Sequence, residues 1–130
     1  MSETYISFYL RANRIHVFAD ALRGIGSPSR ICFLLDPDGK TLLMVPYAKR
    51  DFKSHHIHPK TYSGKAGVEI SSLGLCRLIA NRHGWDISRS YRVPGRVSSA
   101  QVLAAFDLKN AEAILPTGGS AIKKDTAQSS

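Results

Sequence analysis

The chain has 130 residues, of which 18 are Lys or Arg and 10 are Asp or Glu, for a formal net charge of +8. This length fits one domain or two closely packed halves. No stretch reaches the roughly 18 apolar residues of a membrane span, and MSETYISFYL lacks the basic and then apolar order of a secretory signal. So basic a chain is typical of a nucleic-acid binder, although an acidic protein or an anionic membrane is also an open partner class.

The first half of the chain predicts four strands and a short helix. TYISFYL (4–10) is rich in β-formers, and a second strand follows at 14–18. Asp20 is expected to cap a helix over 20–24 that Gly24 and Gly26 end. Two apolar runs then flank Asp-Pro-Asp-Gly, which predicts a hairpin with strands at 30–35 and 41–46.

The segment YAKRDFKSHHIHPKTYSGKAG (47–67) differs in composition, with five Lys or Arg, three His and one acid. It is long for a structureless loop, so we expect a solvated connection with one irregular strand and a functional surface.

From Val68 the same order of elements begins again. VEISS predicts a strand ending in serine caps, and LGLCRLIANRHG predicts a helix that stops at Gly84. Two further strands are expected in DISRSYRVPGRV, broken by Pro94-Gly95, and in QVLAAFDL. The order strand, helix, strand, strand thus occurs at 14–46 and at 68–108. The small, polar tail 116–130 is expected to be disordered.

These elements predict a mainly β fold with short helices (α+β), built as a compact barrel of two strand-helix-strand-strand units. The expected domain covers 1–115. Its units, about 1–47 and 68–110, are joined by the basic connection 48–67.

The stretch NRIHVFADALRGIGSPSRICFLLDPDGKTLLMVPY resembles the half-barrel unit of the AbrB and MraZ class of bacterial DNA-binding proteins. Ile15-His16-Val17 matches the first strand, Ile25-Gly26 the helix end, and 30–46 the hairpin. The resemblance implies an interleaved, swapped-hairpin barrel with cradle-like loops. It also implies DNA binding by arginines near the first strand and short helix, usually in an oligomer.

Ten basic residues are candidates for nucleic-acid contact, because arginine binds guanine and phosphate bidentately and lysine binds phosphate. Ordinary solvated surface charge is the alternative for each cluster. The candidates are Arg11, Arg14, Arg23 and Arg30 near the first helix, Lys49, Arg50 and Lys53 in the central segment, and Arg89, Arg92 and Arg96 in the second half. The three central residues, together with Lys60, Lys65 and Phe52, are placed to follow the phosphates of a nucleic acid. Tyr91 would favour RNA or single strands if it stacked on bases, but its period-2 position favours the core.

Other chemistry has little support in the sequence. His55, His56 and His58 lack the neighbours that complete a metal site, so neither a metal nor a cofactor is expected, although their charging would make binding pH-dependent. Cys32 and Cys76 lie in apolar runs and are expected to be buried free thiols, as suits a reducing cytoplasm. Catalytic motifs are absent, which argues against an enzyme.

The sequence therefore predicts a cytoplasmic DNA-binding protein, a bacterial or mobile-element transcriptional regulator that binds duplex DNA as a homodimer or higher oligomer. The alternative is a protein-interaction module or inhibitor whose basic face docks an acidic partner.

Overall fold

The computed structural model describes residues 2–114, and the predicted disordered tail 116–130 lies outside them. The described residues form nine strands and two α-helices, α1 (Ala19–Gly24) and α2 (Leu73–His83). Two single 3₁₀ turns cover Pro59–Ser63 and Leu108–Asn110. The strands are β1 (Ser2–Tyr9), β2 (Arg14–Val17), β3 (Arg30–Leu35), β4 (Thr41–Pro46), β5 (His55–His56), β6 (Val68–Ser71), β7 (Ser90–Ser98), β8 (Leu103–Asp107) and β9 (Glu112–Ile114).

The strands pair antiparallel throughout, in the order β5-β3-β4-β8-β7-β1-β2-β6, with β9 beside the start of β7. This sheet coils into a nearly closed barrel of eight strands, as the predicted fold class requires. Alternate residues point inward, so the core is made of fully buried side chains from several strands, among them Ile6, Phe8, Ile15, Met44 and Phe106. No helix within residues 2–114 is long and apolar enough to cross a membrane.

The pairing scheme repeats between the two halves of the chain. The elements β1-β2-α1-β3-β4 correspond in order to β5-β6-α2-β7-β8, and the pair β1·β7 corresponds to β5·β3. The pairs β2·β6 and β4·β8 join each strand to its own counterpart. The counterpart of the pair β1·β2 would be β5·β6. These two strands stand at opposite ends of the strand order in the described sheet and do not pair with each other. We call this gap the seam.

Several local predictions are confirmed. The hairpin strands β3 and β4 have the predicted bounds, and Gly39 in their turn has the positive φ that favours glycine. Ser72 caps α2 by accepting a hydrogen bond from the Leu75 amide, and Gly84 ends the helix in the left-handed conformation.

One capping prediction is wrong, and one strand was missed. Asp20 does not cap α1, because the helix begins one residue earlier and Phe18 is its N-cap, without a side-chain hydrogen bond. Asp20 lies instead in the first turn, where a carboxylate still suits the helix dipole. The short strand β9 was not predicted from the sequence.

Pro94-Gly95 does not break the strand, since β7 continues through both residues. On one side of β7, Pro94 pairs with Tyr5 of β1. On the other side β8 ends opposite Gly95 and β9 begins opposite Arg92, so Pro94 lies in the gap between these two partner strands. A residue without an N–H is tolerated at such a gap.

Gly95→Ala is expected to destabilise the barrel, because a Cβ there would overlap the Phe106 ring and lie 2.6 Å from the Ala105 carbonyl oxygen. Overpacking of this kind costs about 1–3 kcal/mol. Gly74→Ala is the matched control, since a Cβ at Gly74 meets no atom within 4 Å. Urea unfolding should give a lower midpoint for Gly95→Ala only; equal midpoints would contradict the close approach of β7 and β8.

Candidate nucleic-acid interface

The segment 47–67, called here the basic segment, is anchored to the barrel along its length. The Ile57 side chain is fully buried in the core, and its amide donates a hydrogen bond to the Ser29 carbonyl at 2.8 Å. The Tyr62 hydroxyl donates to the Pro28 carbonyl at 2.6 Å. Within the segment, β5 pairs with the start of β3. Its exposed charges are therefore held in defined positions.

Two arginines of the first half lie against the basic segment. Arg30 donates from Nη1 to the Ser54 hydroxyl at 3.0 Å. Arg23 donates from Nη2 to the Tyr62 carbonyl at 3.3 Å and to the Gly64 carbonyl. Arg23 and Lys65 also line one cleft of about 480 Å³, together with the acidic residues Glu3 and Asp20. Together with the lysines and arginine of the segment they form what we call the basic surface: Arg23, Arg30, Lys49, Arg50, Lys53, Lys60 and Lys65.

Residues 51–54 form a turn that is organised by Asp51. Its carboxylate accepts hydrogen bonds from the Tyr47 hydroxyl at 2.8 Å and from the Lys53 amide at 2.9 Å. Its backbone carbonyl accepts from both the amide and the hydroxyl of Ser54, each at 3.1 Å. These bonds fix the turn that carries Lys53 and, through Tyr47, the stretch just before it that carries Lys49 and Arg50.

The Asp51 carboxylate is held in its charged form. The hydrogen bond from Tyr47 lowers the pKa of Asp51, and the Lys53 amide lowers it further. The same contact raises the pKa of Tyr47, because the hydroxyl that donates to a carboxylate keeps its proton. The only acid of the basic segment is thus occupied by neighbours in the turn.

The remaining candidate arginines make no described hydrogen bond to the basic segment, although Arg92 and Arg96 lie beside Tyr5 and Glu3, which line the same cleft as Arg23 and Lys65. Arg14 on β2 forms an ion pair with Glu69 on β6 at 3.0 Å, and Arg89 pairs with Asp86 at 3.5 Å. Arg92 lies 5.3 Å from the centroid of the Tyr5 ring, a cation–π distance. Arg11 lies in the turn after β1, and Arg96 lies opposite Glu3 on β1. The predicted group of Arg11, Arg14, Arg23 and Arg30 is therefore divided, and only its last two members join the basic surface.

Tyr91 lies in an aromatic cluster at the core, as its position in the alternating strand pattern predicted. Its ring stacks on Trp85 with centroids 4.6 Å apart, and Trp85 in turn contacts the buried Phe8 edge to face at 5.5 Å. The Tyr91 hydroxyl accepts a hydrogen bond from the Asp86 amide at 2.8 Å. These contacts occupy the ring face that base stacking would need.

His55 has different surroundings from His56 and His58, whose rings lie edge to face with centroids 6.4 Å apart. His55 is half-buried beside Phe33, with ring centroids 5.7 Å apart, and burial lowers its pKa. His58 accepts the Lys60 amide on Nδ1 at 3.1 Å, whereas His56 is exposed. Within residues 2–114 no three His, Cys, Asp or Glu side chains are grouped so as to hold a metal ion.

Both cysteines are buried free thiols, as predicted. Burial raises the pKa of Cys76 to about 11 and also raises the pKa of Cys32. The thiolate is the reactive form of cysteine, so burial disfavours nucleophilic chemistry at both positions.

Comparison with known proteins finds no matching protein-family model, curated protein or solved structure. The structure therefore supports the resemblance to the AbrB and MraZ class only in the antiparallel, nearly closed barrel.

Asp51→Ala is expected to loosen the turn and speed trypsin cleavage after Lys49, Arg50 and Lys53, since ordered backbone resists proteolysis. Asp86→Ala is the matched control, because Asp86 organises a separate turn through the amide and hydroxyl of Ser88. Peptide mapping over time should show faster cleavage at 49–53 in the first variant and at Arg89 in the second. Unchanged cleavage at 49–53 in Asp51→Ala would contradict the role of Asp51.

Stability is expected to fall on acidification because of His55. Its pKa is lower in the folded chain than in the unfolded one, so the unfolded state binds more protons between the two values. This contribution is present above about pH 6.5 and is lost as the pH falls through the folded pKa. His55→Phe should show a smaller drop in Tm between pH 7.5 and 5.5 than wild type, whereas the exposed-site control His56→Gln should keep the wild-type drop. An equal drop in His55→Phe and wild type would exclude this origin.

Proposed function

We propose that this chain is a small DNA-binding protein whose basic surface contacts the phosphate backbone of duplex DNA. The observation that carries the proposal is the convergence of Arg23 and Arg30 on the basic segment, which is itself anchored to the barrel. Cations from positions 23 to 65 are thereby gathered on an ordered part of the fold, as phosphate contacts require.

The distribution of ion pairs supports the same proposal. Among residues 2–114 the ion pairs are Arg14–Glu69 and Arg89–Asp86, and neither involves the basic surface. Cations that are already paired must lose a partner before they bind phosphate. The cations of the basic surface form none of these ion pairs, and they outnumber the nearby acids Asp51, Asp20 and Glu3, so a net positive charge remains to attract an anionic ligand.

The duplicated barrel supports the proposed membership of the AbrB and MraZ class, with its expected role in transcriptional regulation. Two units of the same order form one barrel, as in the members of that class that carry two units per chain. Under this proposal the protein binds DNA as a homodimer or higher oligomer. Arg11, Arg14, Arg89, Arg92 and Arg96 then serve secondary contacts or the protein's own packing.

Lys49→Gln/Arg50→Gln is expected to weaken binding to a random 30-base-pair duplex and to flatten its salt dependence. Two lost phosphate contacts should reduce the slope of log K against log salt by about 1.8. The control Arg77→Gln/Lys109→Gln removes the same charge at exposed positions outside the basic surface. Fluorescence anisotropy across a salt series measures both pairs.

An equal loss of slope in the two double variants would mean that net charge, and not the basic surface, governs binding. No binding by folded wild type at low salt would overturn the proposal. The basic surface would then be assigned to an acidic partner protein, the alternative that charge complementarity allows.

A further inference from the structure

Phe52 stands out among the apolar side chains of the described chain, because 91% of its surface is exposed. Other exposed large apolar residues, such as Leu73 and Ile87, keep about half of their surface covered. Phe52 also lies within the basic surface, between Asp51 and Lys53 and two residues after Arg50. A single exposed apolar side chain is normal on a protein surface. What points to a ligand for Phe52 is its position in an ordered turn beside Arg50 and Lys53.

The turn beneath Phe52 holds it outward. Asp51 fixes the backbone on both sides of the ring through the Lys53 amide and through Ser54. The Lys53 ammonium lies 5.9 Å from the ring centroid, which leaves most of the ring uncovered. A ring presented by an ordered turn loses little conformational entropy when it binds.

The surroundings of Phe52 favour nucleic acid over a lipid surface. Insertion into a membrane uses several apolar side chains on one face, whereas the sequence neighbours of Phe52 are the charged Asp51 and Lys53. Nucleic acid offers phosphates to Lys49, Arg50 and Lys53 and flat base surfaces to the ring. Phe side chains stack on unpaired bases and wedge into weakened base steps in this way.

We infer that Phe52 stacks on a base at an unpaired or weakly stacked step, so that the protein prefers DNA with disrupted pairing over perfect duplex. This inference rests on the proposed function and names the DNA feature that the same surface recognises. The lysines and arginine supply attraction that is independent of pairing, and Phe52 supplies the discrimination.

Two 30-base-pair duplexes test the inference, one fully paired and one with three central mismatches. Both carry the same number of phosphates, so the electrostatic contribution is matched. Wild type is expected to bind the mismatched duplex at least about fivefold more tightly, which corresponds to the lower range for stacking on one base. Phe52→Ala should bind the two duplexes equally, with the salt slope of wild type.

Further variants separate stacking from general apolar contact. Phe52→Trp should keep the preference, because it retains an aromatic face, whereas Phe52→Leu should lose most of it. Ile87→Ala is the matched control, since it removes an exposed apolar side chain outside the basic surface and should behave as wild type. The high exposure of Phe52 makes unfolding an implausible cause of any loss, and circular dichroism of each variant checks this.

The outcomes distinguish the two proposals. If wild type binds neither duplex, both the proposed function and the inference fail. If it binds both equally, or if Phe52→Ala keeps the preference, the inference alone fails. Binding to phosphatidylserine vesicles that depends on Phe52, with no mismatch preference, would also overturn it and assign the ring to a membrane.

Discussion

The burial of Ile57 is the contact on which the arrangement of charge depends. Ordering a segment of about twenty residues has a large entropic cost, and the two-residue strand β5 offers few hydrogen bonds to offset it. A fully buried Ile side chain contributes about 1.5–3 kcal/mol, and the bonds from Ile57 to Ser29 and from Tyr62 to Pro28 add about 1 kcal/mol each. Without these anchors, Arg23 and Arg30 would have no fixed relation to the lysines.

The need for such anchors follows from the unequal halves of the barrel. In the first half β1 is eight residues long and pairs with both β2 and β7. Its counterpart β5 is two residues long and does not pair with β6, so the chain crosses the seam without strand hydrogen bonds. The guanidinium of Arg23 supplies donors to the Tyr62 and Gly64 carbonyls at this crossing. One cation thus satisfies backbone groups and also adds charge to the basic surface.

How far the sequence predicts this structure depends on how local the determining interactions are. The hairpin 30–46 follows from Asp-Pro-Asp-Gly between apolar runs, and α2 from Ser72 and Gly84, so both were predicted with accurate bounds. The continuity of β7 through Pro94 was not predicted, because it depends on where β8 ends and β9 begins, 12 to 18 residues farther along the chain.

The same distinction applies to the candidate site. Composition identified the basic segment and Phe52 as part of it, but not which arginines would join. Arg14 pairs with Glu69 across 55 residues, and Arg23 reaches Gly64 across 41. Such pairings depend on strand register around the whole barrel, which no local pattern encodes. The exposure of Phe52 was likewise hidden, because an isolated aromatic residue near lysines is equally compatible with a packed position.

The basic surface is expected to lower the stability of the folded chain. Like charges that are gathered with few counter-ions repel one another and raise the free energy of the folded state, whereas surfaces that favour stability intersperse the two signs. The fold does intersperse them elsewhere, at Arg14–Glu69 and Arg89–Asp86. In the basic segment the one carboxylate is committed to ordering a turn that exposes three cations and an aromatic ring. An anionic ligand with flat apolar faces would reduce the repulsion among the cations and would also cover the exposed Phe52 ring. The phosphate contacts and the stacking role proposed for Phe52 are linked because one ligand provides both.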